Sequence, residues 1–277
     1  TADAVTLSAV WLSLIIGLPT VVPAGADEVS FELDVQPILT AYRCNSGPCH
    51  GKARGQNGFQ LSLLGFDPGF DYDALTKNAR GRRVFPAVPQ RSLLLQKATA
   101  ELPHGGGQRL KSDSEDYATL RRWIEQGLPR RLASEPALQR VEVQPGSCVA
   151  KSGEDGTLRV TAIYSDGSQR DVTGRTIFQS SDSPIVAIDA TGRFQAGPLA
   201  GEATLMARYM DKIATCRVVI PLAGEVPDEF YARLPRHNFI DGLVLQKLKE
   251  LRLTPSPPVD DAKFMRRVHL DVIGRLP

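Results

Sequence analysis

The hydrophobic pattern changes period near Pro136, and this limits more than any other feature how the 277-residue chain can fold. Before that point apolar residues recur at helical spacing. Tyr117, Leu120, Trp123 and Ile124 mark a helix over Ser114 to Gln126, with Gly127 at its C-terminal stop and Trp123 read as core packing. Farther back, Asp34 is placed to cap a first helix whose opening turn tolerates Pro37 and whose Ile38 and Leu39 face inward. After Pro136 the apolar residues alternate: Val141 and Val143, Leu158 to Tyr164, Val186 and Ile188, Ala203 to Tyr209, and Ala214 to Ile220. Short strands at regular intervals, separated by Ser165-Asp166-Gly167-Ser168 and Asp189-Ala190-Thr191-Gly192, argue for a β-sandwich. The chain is long enough for two compact domains with cores of their own.

The Gly- and Pro-rich loops between the two helices contain Cys44-Asn45-Ser46-Gly47-Pro48-Cys49-His50. Two cysteines closed by an immediately following histidine are how a haem is attached covalently: the thiols add to the porphyrin vinyl groups and the histidine is the proximal iron ligand. The usual spacer is two residues. Here it is four, and its Ser, Gly and Pro can bulge while both sulfurs stay at the porphyrin edge. On this reading Cys44 and Cys49 anchor one haem c, His50 ligates its iron, and the loops wrap the cofactor. Two other readings stay open. With His104 the same residues make a Cys2His2 zinc set; or Cys44 and Cys49 form a plain disulfide in an adhesive or carbohydrate-associated surface protein.

Phe31-Glu32-Leu33-Asp34-Val35-Gln36-Pro37-Ile38-Leu39, the Cys-His motif, Gly58-Phe59-Gln60-Leu61-Ser62-Leu63, Gly81-Arg82-Arg83, Ser92-Leu93-Leu94-Leu95 and Pro103-His104-Gly105-Gly106-Gly107 together resemble the planctomycete-type cytochrome c domain. The resemblance implies an all-α cytochrome c-like fold over 27–135 and an electron-transfer role with a redox partner not named by the sequence. Related cytochromes carry a ligand methionine in the loop that His104 occupies, and this region has no methionine. That implies His104 as the second iron ligand beside His50. One or two arginines of the clusters Arg80 to Arg83, Arg121-Arg122 and Arg130-Arg131 would pair with haem propionates, or all are solvated surface.

Residues 136–222, with Thr161-Ala162-Ile163-Tyr164-Ser165-Asp166-Gly167-Ser168 and Arg170-Asp171-Val172-Thr173, are similar to bacterial Ig-like domains of the invasin type, an all-β sandwich used as a spacer or adhesion unit toward a surface polymer or protein. Strands that lie side by side in such folds carry Cys148 and Cys216, an expected disulfide, although both also suit buried thiols. Asp166, Asp171 and Asp182 read as turn residues rather than calcium ligands. Residues 223–277 form a truncated helical segment. Phe239, Ile240, Leu243, Val244, Leu248 and Leu251 make one stripe behind an Asn238 cap, and a second helix opens at Asp260. This stretch resembles the opening of a domain of unknown function. His237 and His269, within it, lack a ligand cluster and read as surface or packing residues.

Thirty-three basic against 31 acidic residues leave a net charge of +2, which argues against nucleic acid as a partner. The run Val5 to Val22 followed by Ala24-Gly25-Ala26 reads as a signal peptide spanning 1–26, with Pro19 and Pro23 against a spanning helix; left uncleaved, it would be a membrane anchor. Either way the remainder is periplasmic or otherwise extracytoplasmic, where covalent haem and oxidised cysteine pairs belong. No Ser-His-Asp set, phosphate-binding glycine loop or catalytic carboxylate pair is recognisable, so no enzymatic reaction is assigned.

Overall fold

Residues 28–51 and 53–277 are described in a computed structural model of the chain. The signal-peptide reading of 1–26 lies outside them. The chain first enters a single π-type turn, Phe31–Val35. Its cap is Ser30, not Asp34. The Ser30 hydroxyl accepts from the Leu33 amide at 3.1 Å, and the Asp34 carboxylate reaches back to accept from the Ser30 amide at 2.9 Å. Serine and aspartate thus satisfy donors at the helix start reciprocally. Helix α1 (Gln36–Ala41) continues directly and buries Ile38 and Leu39. Helices α2 (Pro68–Thr76), α3 (Leu93–Ala98) and α4 (Glu115–Glu125) follow. In α4 the Ser114 hydroxyl accepts from the Tyr117 amide, and Leu120, Trp123 and Ile124 point inward. Trp123 is fully buried, 5.5 Å from the Phe31 ring centroid, and donates its indole N–H to the Pro129 carbonyl at 3.0 Å.

The expected all-α cytochrome c-like domain is corrected here. Between Phe31 and Glu125 the α-helices are short, and most of the chain is 3-10 turn or loop, with an isolated β-bridge from Gln56 to Phe59. Two causes are visible. Pro86, Pro89 and Pro103 interrupt helical hydrogen bonding, and Arg43, Asn57, Leu64, Ala79, Arg80 and Ala100 all take left-handed backbone conformations that end a helical run. The β-strands all lie in a sheet-built domain that follows this segment, with helices before and after it.

That domain has three sheets. The first joins β1 (Leu138–Gln144), β4 (Arg159–Tyr164) and β5 (Gln169–Asp171) in the order β1-β4-β5. The second contains β2 (Ser147–Val149), β6 (Ile177–Ser180), β9 (Gly201–Tyr209) and β10 (Lys212–Ile220) in the order β2-β10-β9-β6. The third, β3-β8-β7, pairs β3 (Asp155–Thr157), β7 (Val186–Ile188) and β8 (Arg193–Ala196). All pairs are antiparallel except β2 with β10. Inward residues alternate along β9, where Ala203, Leu205, Ala207 and Tyr209 are buried, as a two-residue period requires. Asp166 and Asp171 close tight turns by accepting from Ser168 and Thr173, which accounts for both without a metal.

Three short helices end the chain: α5 (Asp228–Ala232), α6 (Phe239–Glu250) and α7 (Asp261–Ile273). Asn238 and Asp241 form a reciprocal cap on α6. Helix α6 is tied to the sheets through Arg217, which bonds both Glu202 and Glu250, and through Lys247, which also meets Glu202. Its Phe239 and Leu243 remain exposed. Among the described residues no helix is long and apolar enough to cross a membrane.

Candidate functional site

A cavity of about 440 Å³ opens in the helical segment. Leu39, Leu61, Leu75 and Leu94 give it an apolar wall, and Arg82, Arg83, Lys97 and Arg109 stand around it. The structure brings Cys44, Cys49, His50 and His104 together on its lining, although His104 is far from the others in sequence.

The Cys44–His50 segment is a chain of turns. The Cys44 amide donates to Leu39, ending α1, and the amides of His50 and Gly51 close back on Cys44 and Ser46 at 3.0 and 2.9 Å. Only glycine fits at position 51, because a Cβ there would lie 2.0 Å from the Asn45 carbonyl oxygen. Beneath these turns runs a buried polar relay. Asn45 donates to the Thr40 hydroxyl at 2.8 Å, Thr40 to the Gln36 carbonyl, and the Gln36 amide to Asp71 at 2.6 Å. Asp71 also accepts from the Ser62 amide and hydroxyl. Burial raises the Asp71 carboxyl above its ordinary value, opposed by those Ser62 and Gln36 bonds.

Both imidazoles are held the same way. His50 Nδ1 lies 3.0 Å from the Phe59 carbonyl and His104 Nδ1 2.9 Å from the Gly107 carbonyl. A carbonyl only accepts, so each Nδ1 carries the proton and each Nε2 keeps its lone pair. The two rings are parallel within 7°, with centroids 6.4 Å apart. Burial lowers the His50 pKa, against the Phe59 hydrogen bond and reinforced by His104 and Arg83. Burial also pushes the Cys44 thiol up to about 12, with the Cys49 thiol adding and Arg109 opposing. The thiol is therefore neutral at physiological pH.

Two structural residues of this site carry signals that sequence reasoning read differently or passed over. Arg83, placed with a basic cluster, is buried. It donates to the carbonyls of Ala74, Asn78 and Gly58, and its guanidinium lies 4.4 Å from the Phe59 ring centroid. Asp71 was not singled out; its signal is an acid sharing a helix face with the apolar Ala74 and Leu75. Elsewhere, His237 is exposed beside Asp241 and His269 is half-buried on α7, neither in a ligand cluster. Cys148 and Cys216 sit on the neighbouring strands β2 and β10 as free thiols.

Residues 239–277 match the family model described as "PSCyt2: Protein of unknown function (DUF1549)". An S-layer-related protein of Niallia circulans is 37% identical over 89 residues, covering 32% of this chain and 5% of that protein. The chain therefore spans about a twentieth of the length of this relative. Among solved structures, domains 4 and 5 of the S-layer protein SbsC align at 19% identity over 31% of this chain and 53% of theirs, with a TM-score of 0.27. The Yersinia pseudotuberculosis adhesin InvE aligns at 18% identity over 28% of this chain and 25% of that one, with a TM-score of 0.18.

The S-layer-related sequence relative overturns the cytochrome c reading, and with it the covalent haem c, its iron and the electron-transfer role. Among the described residues no group of three or more His, Cys, Asp or Glu is arranged to hold a metal ion, so the Cys2His2 zinc set is corrected as well. The physical reason lies in how local the prompting signals were. The Cys44–His50 hydrogen bonds close a tight turn by themselves, and Arg83 is engaged with three carbonyls.

Proposed function

We propose that this chain is part of a surface-structural protein that lies outside the cytoplasm, with its sheet domain acting as a spacer or adhesion module toward a surface polymer or toward like molecules. The observation that carries this reading is the 37% identity over 89 residues to a protein described as S-layer-related. The sheet domain has the right character for the role. Its core is continuous from Val141 to Ile220, and its turns are closed by short Asx hydrogen bonds. The test is accessibility on intact cells of the native producer, read with an antibody raised against residues 136–222. Labelling without lysis is the expected result; labelling only after lysis would overturn the reading. Co-sedimentation of the purified chain with isolated cell-wall sacculi then separates polymer association from self-association, which pellets without sacculi.

A further inference from the structure

Cys216 is fully buried in the core of the sheet domain, and Cys148 packs against that core from β2. In the parallel pairing of β2 with β10, Cys148 stands opposite Val218, so Cys216 lies two residues away on the same face. Both are free thiols in this structure. Strand β2 is three residues long and lies at the edge of its sheet. Gly146 precedes it and Gly153 follows, each with open space around it. An edge strand so short is held by its ladder to β10, the bond from the Arg217 amide to the Gly146 carbonyl at 3.1 Å and that from the Ala150 amide to the Val219 carbonyl at 2.9 Å, and by little else.

We propose that Cys148 and Cys216 are a disulfide-forming pair that staples the edge strand β2 onto β10. An ideal diagonal across neighbouring strands separates Cα atoms by roughly 8 Å, beyond the usual disulfide span, so once the bond has formed β2 docks shifted toward Cys216. The flanking glycines permit that shift. The reaction removes one proton from each thiol and two electrons from the pair. A disulfide oxidant accepts them and leaves as two thiols, while one S–S bond forms. Burial raises both thiols, Cys216 to about 12, so thiolate is scarce in the folded chain and oxidation of the folded form is slow. Closure therefore belongs to folding, before β2 docks.

The experiment refolds the full reduced chain from denaturant in a glutathione redox buffer, then alkylates it under denaturing conditions without reductant and maps the peptides. A linked peptide pair containing Cys148 and Cys216, with neither residue alkylated, is expected. Alkylation of both, or linkage of either to Cys44 or Cys49, overturns the proposal. Cys148→Ala keeps the buried Cys216 in place and should leave it fully alkylated. If Cys216 stays protected in that variant, its partner is not Cys148. Amide exchange at Val149 and Ala150 should slow by about tenfold or more on oxidation; unchanged exchange would show that the bond does not pin the strand.

Discussion

Replacing Arg83 with lysine keeps the charge and removes the fork. One guanidinium nitrogen donates to Ala74 and Asn78 at 2.9 Å each, and the other to Gly58 at 3.0 Å, so a single side chain joins α2, the turn after it and the loop bearing Phe59. A lysine ammonium is a point donor on a flexible stem and can keep at most one of those bonds in good geometry. A hydrogen bond to a charged group is worth about 1.5–3 kcal/mol. The Ala74 bond is buried, while those to Asn78 and Gly58 are partly open to water and are discounted. Losing two of them, together with the stacked contact on Phe59, should cost about 2–4 kcal/mol. Urea unfolding followed by the emission of Trp123, isolated with Trp11→Phe, would report this. At a slope of about 1.5 kcal/mol/M the midpoint should fall by roughly 2 M. The exposed neighbour gives the control, since Arg82→Lys should stay within about 0.5 kcal/mol of the parent. If Arg83→Lys matched that control, the assignment of Arg83 as the tie between these segments would be wrong.

Gly65→Ala should destabilise the same segment by more than about 1 kcal/mol, because Gly65 has a φ of +75° and its Cβ would lie 2.3 Å from Gln36 Nε2; an unchanged melting temperature would refute the close approach. His50 has a folded-state pKa below its ordinary value, so the unfolded chain binds the extra proton first and stability falls as pH drops below about 6.5. The groups facing it are His104 and Arg83, and His50→Gln should flatten this part of a melting-temperature profile between pH 7.5 and 5.5; an identical slope would assign the effect elsewhere. Leu33→Ala should weaken the sheet domain by about 2–4 kcal/mol although the residue lies in the opening turn, read as faster amide exchange along β4 and β9. Exchange altered only in the helical segment would contradict that placement.

Several elements were legible in the sequence because each carries its own cause. Helix α4 has a serine cap, a helical stripe and a glycine stop within a few residues. Strands β1, β4, β7, β9 and β10 show a two-residue alternation of apolar residues. Strands β2, β3, β5, β6 and β8 were not legible, being short, without a pair of alternating apolar residues like Val186 and Ile188 of β7, and set by the strands they pair with. The start of the first helix was misplaced because Ser30 and Asp34 are both cap residues, and which one caps depends on Phe31 turning inward to Trp123. The burial of Arg83 depends on carbonyls at 58, 74 and 78 converging, which no local pattern encodes.

The change of period near Pro136 marks a change of secondary structure, and its meaning for cooperativity is a separate question. We propose boundaries at 27–135, 136–222 and 223–277, yet the contacts across the first of them are specific. Leu33 is part of the core of the sheet domain, Arg175 bonds Asp116 at 2.9 Å, and Arg170 reaches Asp34 at 3.8 Å. The Arg175–Asp116 pair is mostly shielded from water, so it is screened less than a surface ion pair. Tyr42 lies near this pair: burial, and then the Asp116 charge, raise its phenol above its ordinary value. Tyr42 directly follows α1 and precedes Cys44 by two residues. Leu33, Arg170 and Arg175 thus tie the helical segment to the sheet domain across the boundary at 135–136, and the two should lose amide protection together when Arg175 is replaced by Ala.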